Sequence, residues 1–233
     1  MLLTVNNLGK EFTLHLQQKR KIKAISKVSF ALNQGEFMCL LGPSGAGKST
    51  ILKCIYRTYL PSQGEIIYAS PRGLIHLEKA PEETILELRQ KDIGYVSQFL
   101  KVLPRISALE IVVKPLLDLG TDKETAYAKA QEMLLLLGIK KSLHQVSPFT
   151  FSGGEQQRVN IAKGIIAPKR LLLLDEPTAS LDRERKKIVI HLLSQLKQQG
   201  ITMIGIFHEL DLVDKIADKF LDLKEVSNES NFS

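Results

Sequence analysis

Apolar residues in this chain fall into short continuous runs and into stripes at helical spacing. Short apolar runs bounded by turn residues are typical of buried strands. Three such runs stand out: Phe37–Leu41, Leu171–Leu174 and Ile201–Phe207. Helical spacing is seen over 51–55, 158–166 and 183–199. Because strands and helices alternate, the pattern predicts an α/β fold with a mainly parallel core sheet.

The N-terminal region follows a different pattern. Residues 2–36 are interpreted as short strands separated by turns, with alternation in Val28–Leu32 and a turn signal at 33–35. This pattern predicts an antiparallel β layer that also contributes to the site described below. Further strands are predicted over 65–68 and 93–97, whereas 69–92 is polar and mixed and is expected to be an excursion at the domain edge.

A helical block is predicted between residues 103 and 138. Thr121 and Glu124 have the spacing of a capping box, and Gly138 suits the position just after a helix. The apolar stripe between them consists of Tyr127, Ala130, Leu134 and Leu137. We expect an inserted helical subdomain whose stripe serves packing rather than ligand binding.

A glycine-rich loop joins the first apolar run to the first helix. It fits the pattern G-x-x-x-x-G-K-[ST], and its residues are Gly42, Pro43, Ser44, Gly45, Ala46, Gly47, Lys48, Ser49 and Thr50. Glycines let successive backbone N–H groups turn inward around phosphates, above the positive end of the helix dipole. The pattern predicts that Lys48 reaches the β- and γ-phosphates and that the Ser49 hydroxyl binds Mg²⁺. By itself, this pattern does not distinguish among kinases, GTPases and motor ATPases.

Two further stretches narrow this choice. Asp175 and Glu176 end an apolar strand, which suits Asp175 to hold Mg²⁺ and Glu176 to polarise a water that attacks the γ-phosphate. Ser152 and two glycines open the helix at 158–166, a second candidate anion site that would close on a nucleotide held by another subunit. By itself this second stretch would more often be an ordinary helix cap.

Composition and charge set limits on function. The net charge of +7 is a mild excess, densest over 19–23, where a solvated hairpin is favoured over a nucleic-acid or membrane contact. No nucleic-acid reader motif accompanies it. Cys39 and Cys54 are interpreted as buried hydrophobes, consistent with a reducing compartment. Without an evident signal peptide or an apolar run of about 20 residues, we expect a cytoplasmic protein with no direct membrane insertion.

Across roughly residues 2–222 the chain resembles an ABC-type ATPase domain. Residues 42–50 match the Walker A motif and 171–176 the Walker B motif. The remaining matches are Gln98 to the Q-loop glutamine, 151–155 to the signature motif, 179–182 to the D-loop, and His208 to the switch histidine. Two positions depart from the commonest signature, since Phe151 replaces leucine and Glu155 replaces glutamine.

This resemblance implies a P-loop NTPase fold, ATP and Mg²⁺ as ligands, and ATP hydrolysis. It implies a single domain over 1–233, with the core and β layer in 1–98 and 151–223, a helical subdomain in 99–150 and a flexible tail in 224–233. The residue roles it implies are catalysis by Glu176, His208 and Gln98, metal binding by Ser49, Gln98 and Asp175, adenine stacking by Phe12, a D-loop Asp182, and a trans signature loop of Ser152, Gly153, Gly154 and Glu155. The expected partner is a second ABC ATPase domain, in a homodimer or heterodimer.

A narrower resemblance is carried by 97–110 and 149–162, with support from 57–61. These stretches are similar to PhnL-type proteins of the carbon–phosphorus lyase pathway. That similarity implies a role with soluble phosphonate-breakdown proteins, in forming a ribose 1-phosphonate 5-triphosphate from ATP and a phosphonate. Two alternatives stay open: the ATPase subunit of a lipoprotein-releasing or macrolide-exporting transporter, and a nucleotide-gated docking module.

Overall fold

Nine strands, six α-helices and three short 3-10 helices form the regular structure of the described residues. The computed structural model describes residues 1–14, 20–101 and 104–223. The strands are β1 (Leu3–Leu14), β2 (Arg20–Leu32), β3 (Phe37–Leu41), β4 (Gln63–Ser70), β5 (Gly73–His76), β6 (Ile93–Val96), β7 (Leu171–Asp175), β8 (Thr202–Ile206) and β9 (Lys219–Asp222). The helices are α1 (Lys48–Ile55), α2 (Glu82–Lys91), α3 (Ala108–Asp118), α4 (Lys123–Leu136), α5 (Gly153–Ile165) and α6 (Arg183–Gln198).

The first sheet is antiparallel, as predicted, with the order β2-β1-β4-β5. Its first two strands are 12 and 13 residues long rather than short. The β1–β2 register shifts at several places, and Asn7 and Lys27 have positive φ angles of 49° and 51°. Such irregularities bend a long strand and break its alternation, which is why the sequence suggested several short strands. Part of the basic run at 19–23 lies outside the described residues.

The second sheet is parallel throughout, with the order β6-β7-β8-β3-β9. Strands β7 and β8 are buried along their full length, which fits their continuous apolar sequences. Because all five strands run the same way, their carboxyl ends share one edge. The loops that leave this edge carry the predicted site residues.

Alternate residues of the parallel sheet pack into two apolar clusters, one on each face. Leu172 and Leu174 belong to one cluster, whereas Leu171 and Leu173 belong to the other. Cys39 lies in the first cluster and Cys54 in the second. Burial raises the pKa of Cys39 to about 12 and that of Cys54 to about 11. Both thiols therefore stay protonated and act as small apolar side chains, as predicted.

Helices α3 and α4 pack against each other and against α5. The predicted capping box at Thr121 and Glu124 is wrong, because Asp122 is the N-cap of α4 and accepts from the Thr125 backbone N–H. Adjacent threonine and aspartate both suit a cap, so the local pattern cannot separate them. The stripe forms packing contacts as expected, and Gly138 ends the helix with a φ of 74°. None of the described residues forms a helix long and apolar enough to cross a bilayer.

Two regions contain elements that the sequence pattern did not predict. In 69–92 the structure has β5 and the helix α2, of which only Ile85 and Leu88 are buried. So few buried positions give a weak helical stripe. Strand β9 is four residues long and extends the parallel sheet beyond β3. The predicted tail at 224–233 lies outside the described residues.

Candidate functional site

The glycine-rich loop connects β3 to α1 and turns through three glycines with positive φ. These angles are 133° at Gly42, 82° at Gly45 and 92° at Gly47, a region that residues with a Cβ adopt at a cost. The Lys48 ammonium donates to the Gly42 and Pro43 carbonyl oxygens, at 2.7 and 2.9 Å. The first turn of α1 contains no acidic residue. The loop therefore combines a cation with an uncompensated helix N-terminus, which suits a phosphate chain.

The antiparallel sheet packs against the glycine-rich loop. A methyl group on Gly47 would lie 2.3 Å from the Ala24 carbonyl oxygen and 3.1 Å from Ile25, both on β2. Backbone contact this close is possible only for glycine. The β layer therefore fixes the loop from one side, in agreement with its predicted contribution to the site.

The two predicted metal ligands next to the loop are already in contact. Ser49 Oγ donates to Asp175 Oδ1 at 2.7 Å, although 126 residues separate them in sequence. The other carboxylate oxygen, Asp175 Oδ2, accepts from the Tyr95 hydroxyl at 2.7 Å. A hydroxyl and a carboxylate are hard oxygen donors of the kind Mg²⁺ prefers. The donor set at this point therefore fits Mg²⁺.

The three predicted catalytic residues converge on one carboxylate oxygen. Glu176 Oε2 lies 3.0 Å from Gln98 Nε2 and 3.0 Å from His208 Nε2. These residues follow β6, β7 and β8, which are adjacent in the sheet, so the topology brings together groups that are distant in sequence. Glu176 also has a φ of 51°, an uncommon conformation that is concentrated at functional sites. The arrangement can hold the Glu176 carboxylate in a fixed direction beside the glycine-rich loop.

The predicted signature loop lies at the N-terminus of α5. Ser152 is the N-cap, and it forms a capping box in which its Oγ and its backbone N–H both contact the Glu155 carboxylate. Hydrogen bonds from Ser152 lower the pKa of Glu155. A Cβ on Gly153 would meet open space, whereas one on Gly154 would lie 3.1 Å from the Ser180 carbonyl oxygen. The Glu155 carboxylate therefore closes the cap, and Ser180 of the predicted D-loop lies against Gly154.

Asp182 and Phe12 have partners within the chain. Asp182 is the N-cap of α6, where it accepts from the Arg185 backbone N–H at 2.9 Å. The Phe12 ring meets Tyr59 edge to face, with 5.1 Å between ring centroids, and Lys10 Nζ lies 5.0 Å from the Phe12 centroid. The adenine-stacking role of Phe12 stays a prediction.

A pair of buried amides connects α5 to the loops that follow β6 and β7. On α5, the Gln157 side chain donates to the Pro177 carbonyl and the Asn160 side chain donates to the Ser97 carbonyl. Ser97 precedes the predicted catalytic glutamine, and Pro177 follows the predicted catalytic glutamate. These amides were not singled out from the sequence, although a polar Asn160 within a buried helical face signals a required hydrogen-bond partner.

Comparison with known proteins places this arrangement in a family. Residues 25–179, more than half of the chain, match the ABC transporter family. The chain belongs to the ABC transporter family. As a P-loop cassette of that family, it is an ATP-binding and ATP-hydrolysing domain.

Individual relatives cover nearly the whole chain. It is 32% identical to the uncharacterized ABC transporter ATP-binding protein YvrO of Bacillus subtilis, over 96% of this chain and 94% of that protein. It is also 32% identical to the glutamine transport ATP-binding protein GlnQ of Escherichia coli, over 90% of this chain and 85% of that protein. Among solved structures, the dimeric structure of MJ0796, a bacterial ABC transporter cassette, superimposes with a TM-score of 0.84 at 26% identity, with 95% of each chain covered. The expected fold class is thus confirmed.

Proposed function

We propose that this chain is the ATPase subunit of an ABC membrane transporter, in which ATP hydrolysis responds to a membrane partner docked beside Gln98. The observation that carries the proposal is that Gln98 contacts Glu176 and also lines a surface cleft. Its side chain donates to Glu176, and it also lines an open cleft of about 480 Å³. A partner seated in that cleft would contact the same residue that holds the catalytic carboxylate. The transporter names of the relatives support this choice.

In the proposed mechanism, the residues at the carboxyl ends of the parallel strands bind the phosphates, hold the metal or act on the attacking water. The loop N–H groups and Lys48 bind the β- and γ-phosphates of ATP, while Ser49 and Asp175, with Gln98, hold Mg²⁺. The bound ion supplies positive charge that offsets the negative charge of the phosphates. Glu176 orients and polarises the attacking water, and His208 holds that carboxylate and faces the γ-phosphate.

The signature loop acts on ATP bound to a second ABC ATPase domain, in a head-to-tail dimer. Within the described residues no hydrogen bond links Ser152, Gly153 or Gly154 to the glycine-rich loop of the same chain, which agrees with a role in trans. The solved MJ0796 relatives are dimeric. A homodimer and a heterodimer both fit these observations. Closure would place phosphate charge against the N-terminus of α5, and hydrolysis would release it.

Ser152→Ala is expected to impair ATP-driven dimerisation as well as stability. Losing an N-cap hydroxyl costs about 1 kcal/mol of stability. Ser107→Ala is the matched control, because Ser107 forms the same capping box with Glu110 at the start of α3. Thermal unfolding should show a loss for both variants, at least as large for the buried Ser107 as for the exposed Ser152. Gel filtration with Mg-ATP in a Glu176→Gln background should show a weakened dimer for Ser152→Ala alone. Equal dimerisation of both variants would make Ser152 an ordinary cap.

The cleft beside Gln98 has the chemistry of a docking site for an acidic and apolar segment. Phe99 is 70% exposed at its rim. Lys53, Lys101 and Lys163 also line it, and in the described part of the chain no ion pair joins them to a carboxylate. Three cations beside an exposed aromatic ring favour a partner that brings carboxylates and an apolar side chain. We propose that a cytoplasmic segment of the membrane subunit fills this cleft.

Affinity purification tests this assignment. The tagged protein is recovered from a detergent-solubilised lysate containing ATP, and co-purifying proteins are identified by mass spectrometry. We expect a polytopic membrane protein with the unmodified chain, and its loss with Phe99→Ala. Phe149→Ala is the control, since Phe149 is 69% exposed but lies next to the signature loop rather than in the cleft. Recovery of soluble proteins alone would overturn the transporter proposal.

The phosphonate hypothesis remains as a second candidate, carried by the similarity of 97–110 and 149–162 to PhnL-type proteins. It differs from the transporter proposal only in the partner and in the step that hydrolysis drives. Recovery of carbon–phosphorus lyase proteins in the same purification would favour it. The ATPase chemistry would be unchanged.

A further inference from the structure

Tyr95 shares the Asp175 carboxylate with Ser49. Asp175 is only 3% exposed, and its two oxygens accept from different hydroxyl groups, Oδ2 from Tyr95 and Oδ1 from Ser49, each at 2.7 Å. A buried carboxylate oxygen without a hydrogen-bond donor destabilises the folded state. The Tyr95 hydroxyl supplies the donor that Asp175 Oδ2 needs. It also distinguishes the two oxygens: one faces the strand β6, and the other faces the glycine-rich loop.

The position of the Tyr95 hydroxyl is fixed from two sides. In the parallel pair β6–β7, Tyr95 lies opposite Leu173, two residues before Asp175. Its ring stacks on Tyr56, with 5.0 Å between centroids and 28° between ring planes. Tyr56 is in turn covered by Arg89, whose guanidinium carbon lies 4.7 Å from the ring centroid. A phenol held by a sheet and a stacked ring is a rigid donor, which is what a metal site requires of its outer partners.

The contribution of the Tyr95 hydroxyl can be separated from that of its ring. Phenylalanine at this position would retain the ring stacking and lose the hydrogen bond.

We propose that Tyr95 is a positioning residue for the metal site, because its hydrogen bond to Asp175 Oδ2 orients the carboxylate so that Oδ1, together with Ser49, would be available to Mg²⁺. The inference goes beyond the choice of transport partner, and it rests on the proposed metal role of Asp175. It predicts that the hydroxyl contributes to the binding of nucleotide only when the metal is present. A merely structural contribution would act with and without metal.

Tyr95→Phe tests this with a fluorescent ATP analogue titrated in saturating Mg²⁺ and again in EDTA. We expect the Mg²⁺-dependent gain in affinity to fall about ten-fold, as is usual when an outer partner of a metal ligand is removed. The affinity in EDTA should stay within about two-fold of the original protein. The matched control is Tyr56→Phe, which removes a hydroxyl from the stacked ring and is expected to keep the full Mg²⁺-dependent gain.

Asp175→Asn separates failure of the inference from failure of the site. If Asp175→Asn loses the Mg²⁺-dependent gain and Tyr95→Phe keeps it, the metal site stands and the role of Tyr95 is overturned. If Asp175→Asn itself keeps the gain, Asp175 is not a metal ligand. The proposed metal role of Asp175 and the positioning role of Tyr95 then both fail. Equal weakening of Tyr95→Phe in Mg²⁺ and in EDTA would also overturn the positioning role.

Discussion

Replacing Glu176 with glutamine is expected to lower the rate of ATP hydrolysis by roughly 10²–10⁴-fold, the usual contribution of a positioned general base. The amide keeps the size of the side chain and its contact distance to His208, but it cannot take up a proton from water. Nucleotide binding should be retained, because Glu176 is not part of the glycine-rich loop. ATP-bound dimers should therefore accumulate. Phosphate release measures the rate, and gel filtration with Mg-ATP measures the dimer.

Glu184→Gln is the control for this experiment. Glu184 lies exposed in the first turn of α6, where it pairs with Lys187 at 3.0 Å. Its loss should leave hydrolysis unchanged. A Glu176→Gln protein that hydrolyses ATP within about three-fold of the original rate would contradict the proposed general base. If hydrolysis is lost while cellular activity persists, the chain acts as a nucleotide-gated docking module.

Gly47→Ala is expected to abolish measurable ATP binding. A residue with a Cβ is destabilised by roughly 1–2 kcal/mol in a left-handed conformation such as the φ of 92° at this position. The new methyl group would also lie 2.3 Å from the Ala24 carbonyl oxygen. Since a backbone atom cannot rotate away, either the loop or β2 must shift, and the inward N–H groups lose their geometry. A fluorescent ATP analogue measures binding, and thermal unfolding measures stability.

Gly120→Ala separates steric clash from backbone strain. Gly120 has a φ of 82°, and a Cβ there would meet nothing within 4 Å. This control should lose about 1–2 kcal/mol of stability and keep its affinity for ATP. If Gly47→Ala behaves like Gly120→Ala, the contact with β2 does not shape the loop.

The extent to which the sequence predicted this site follows from how local each signal is. The glycine-rich loop was predictable because an apolar strand, its glycines and a helix follow one another directly in sequence. Gln98, Glu176 and His208 were singled out by family resemblance, and Glu176 also by its position at the end of an apolar strand, but the contact of all three at one carboxylate oxygen was not predicted. The hydrogen bond between Tyr95 and Asp175 was not predicted either, since it depends on the register of two strands that are 80 residues apart.

Fold details were missed where the local pattern was short or ambiguous. Strand β9 has only four residues, two of them charged at its ends, so it lacks an apolar run. Its pairing with β3 provides the stabilisation that its own sequence does not show. The cap of α4 moved by one residue because Thr121 and Asp122 are both competent acceptors. In both cases tertiary context decided between local possibilities.

The position of β3 between β8 and β9 has a consequence for biosynthesis. The strand β3, which leads into the glycine-rich loop, has its sheet partners in β8 and β9. Neither partner is available until residues 202–222 have left the ribosome. At synthesis rates of about 5–20 residues per second, this delay is roughly ten to thirty seconds. During that time the apolar segment Phe37–Leu41 remains unpaired in the nascent chain. The strand β3 therefore enters its sheet late in translation.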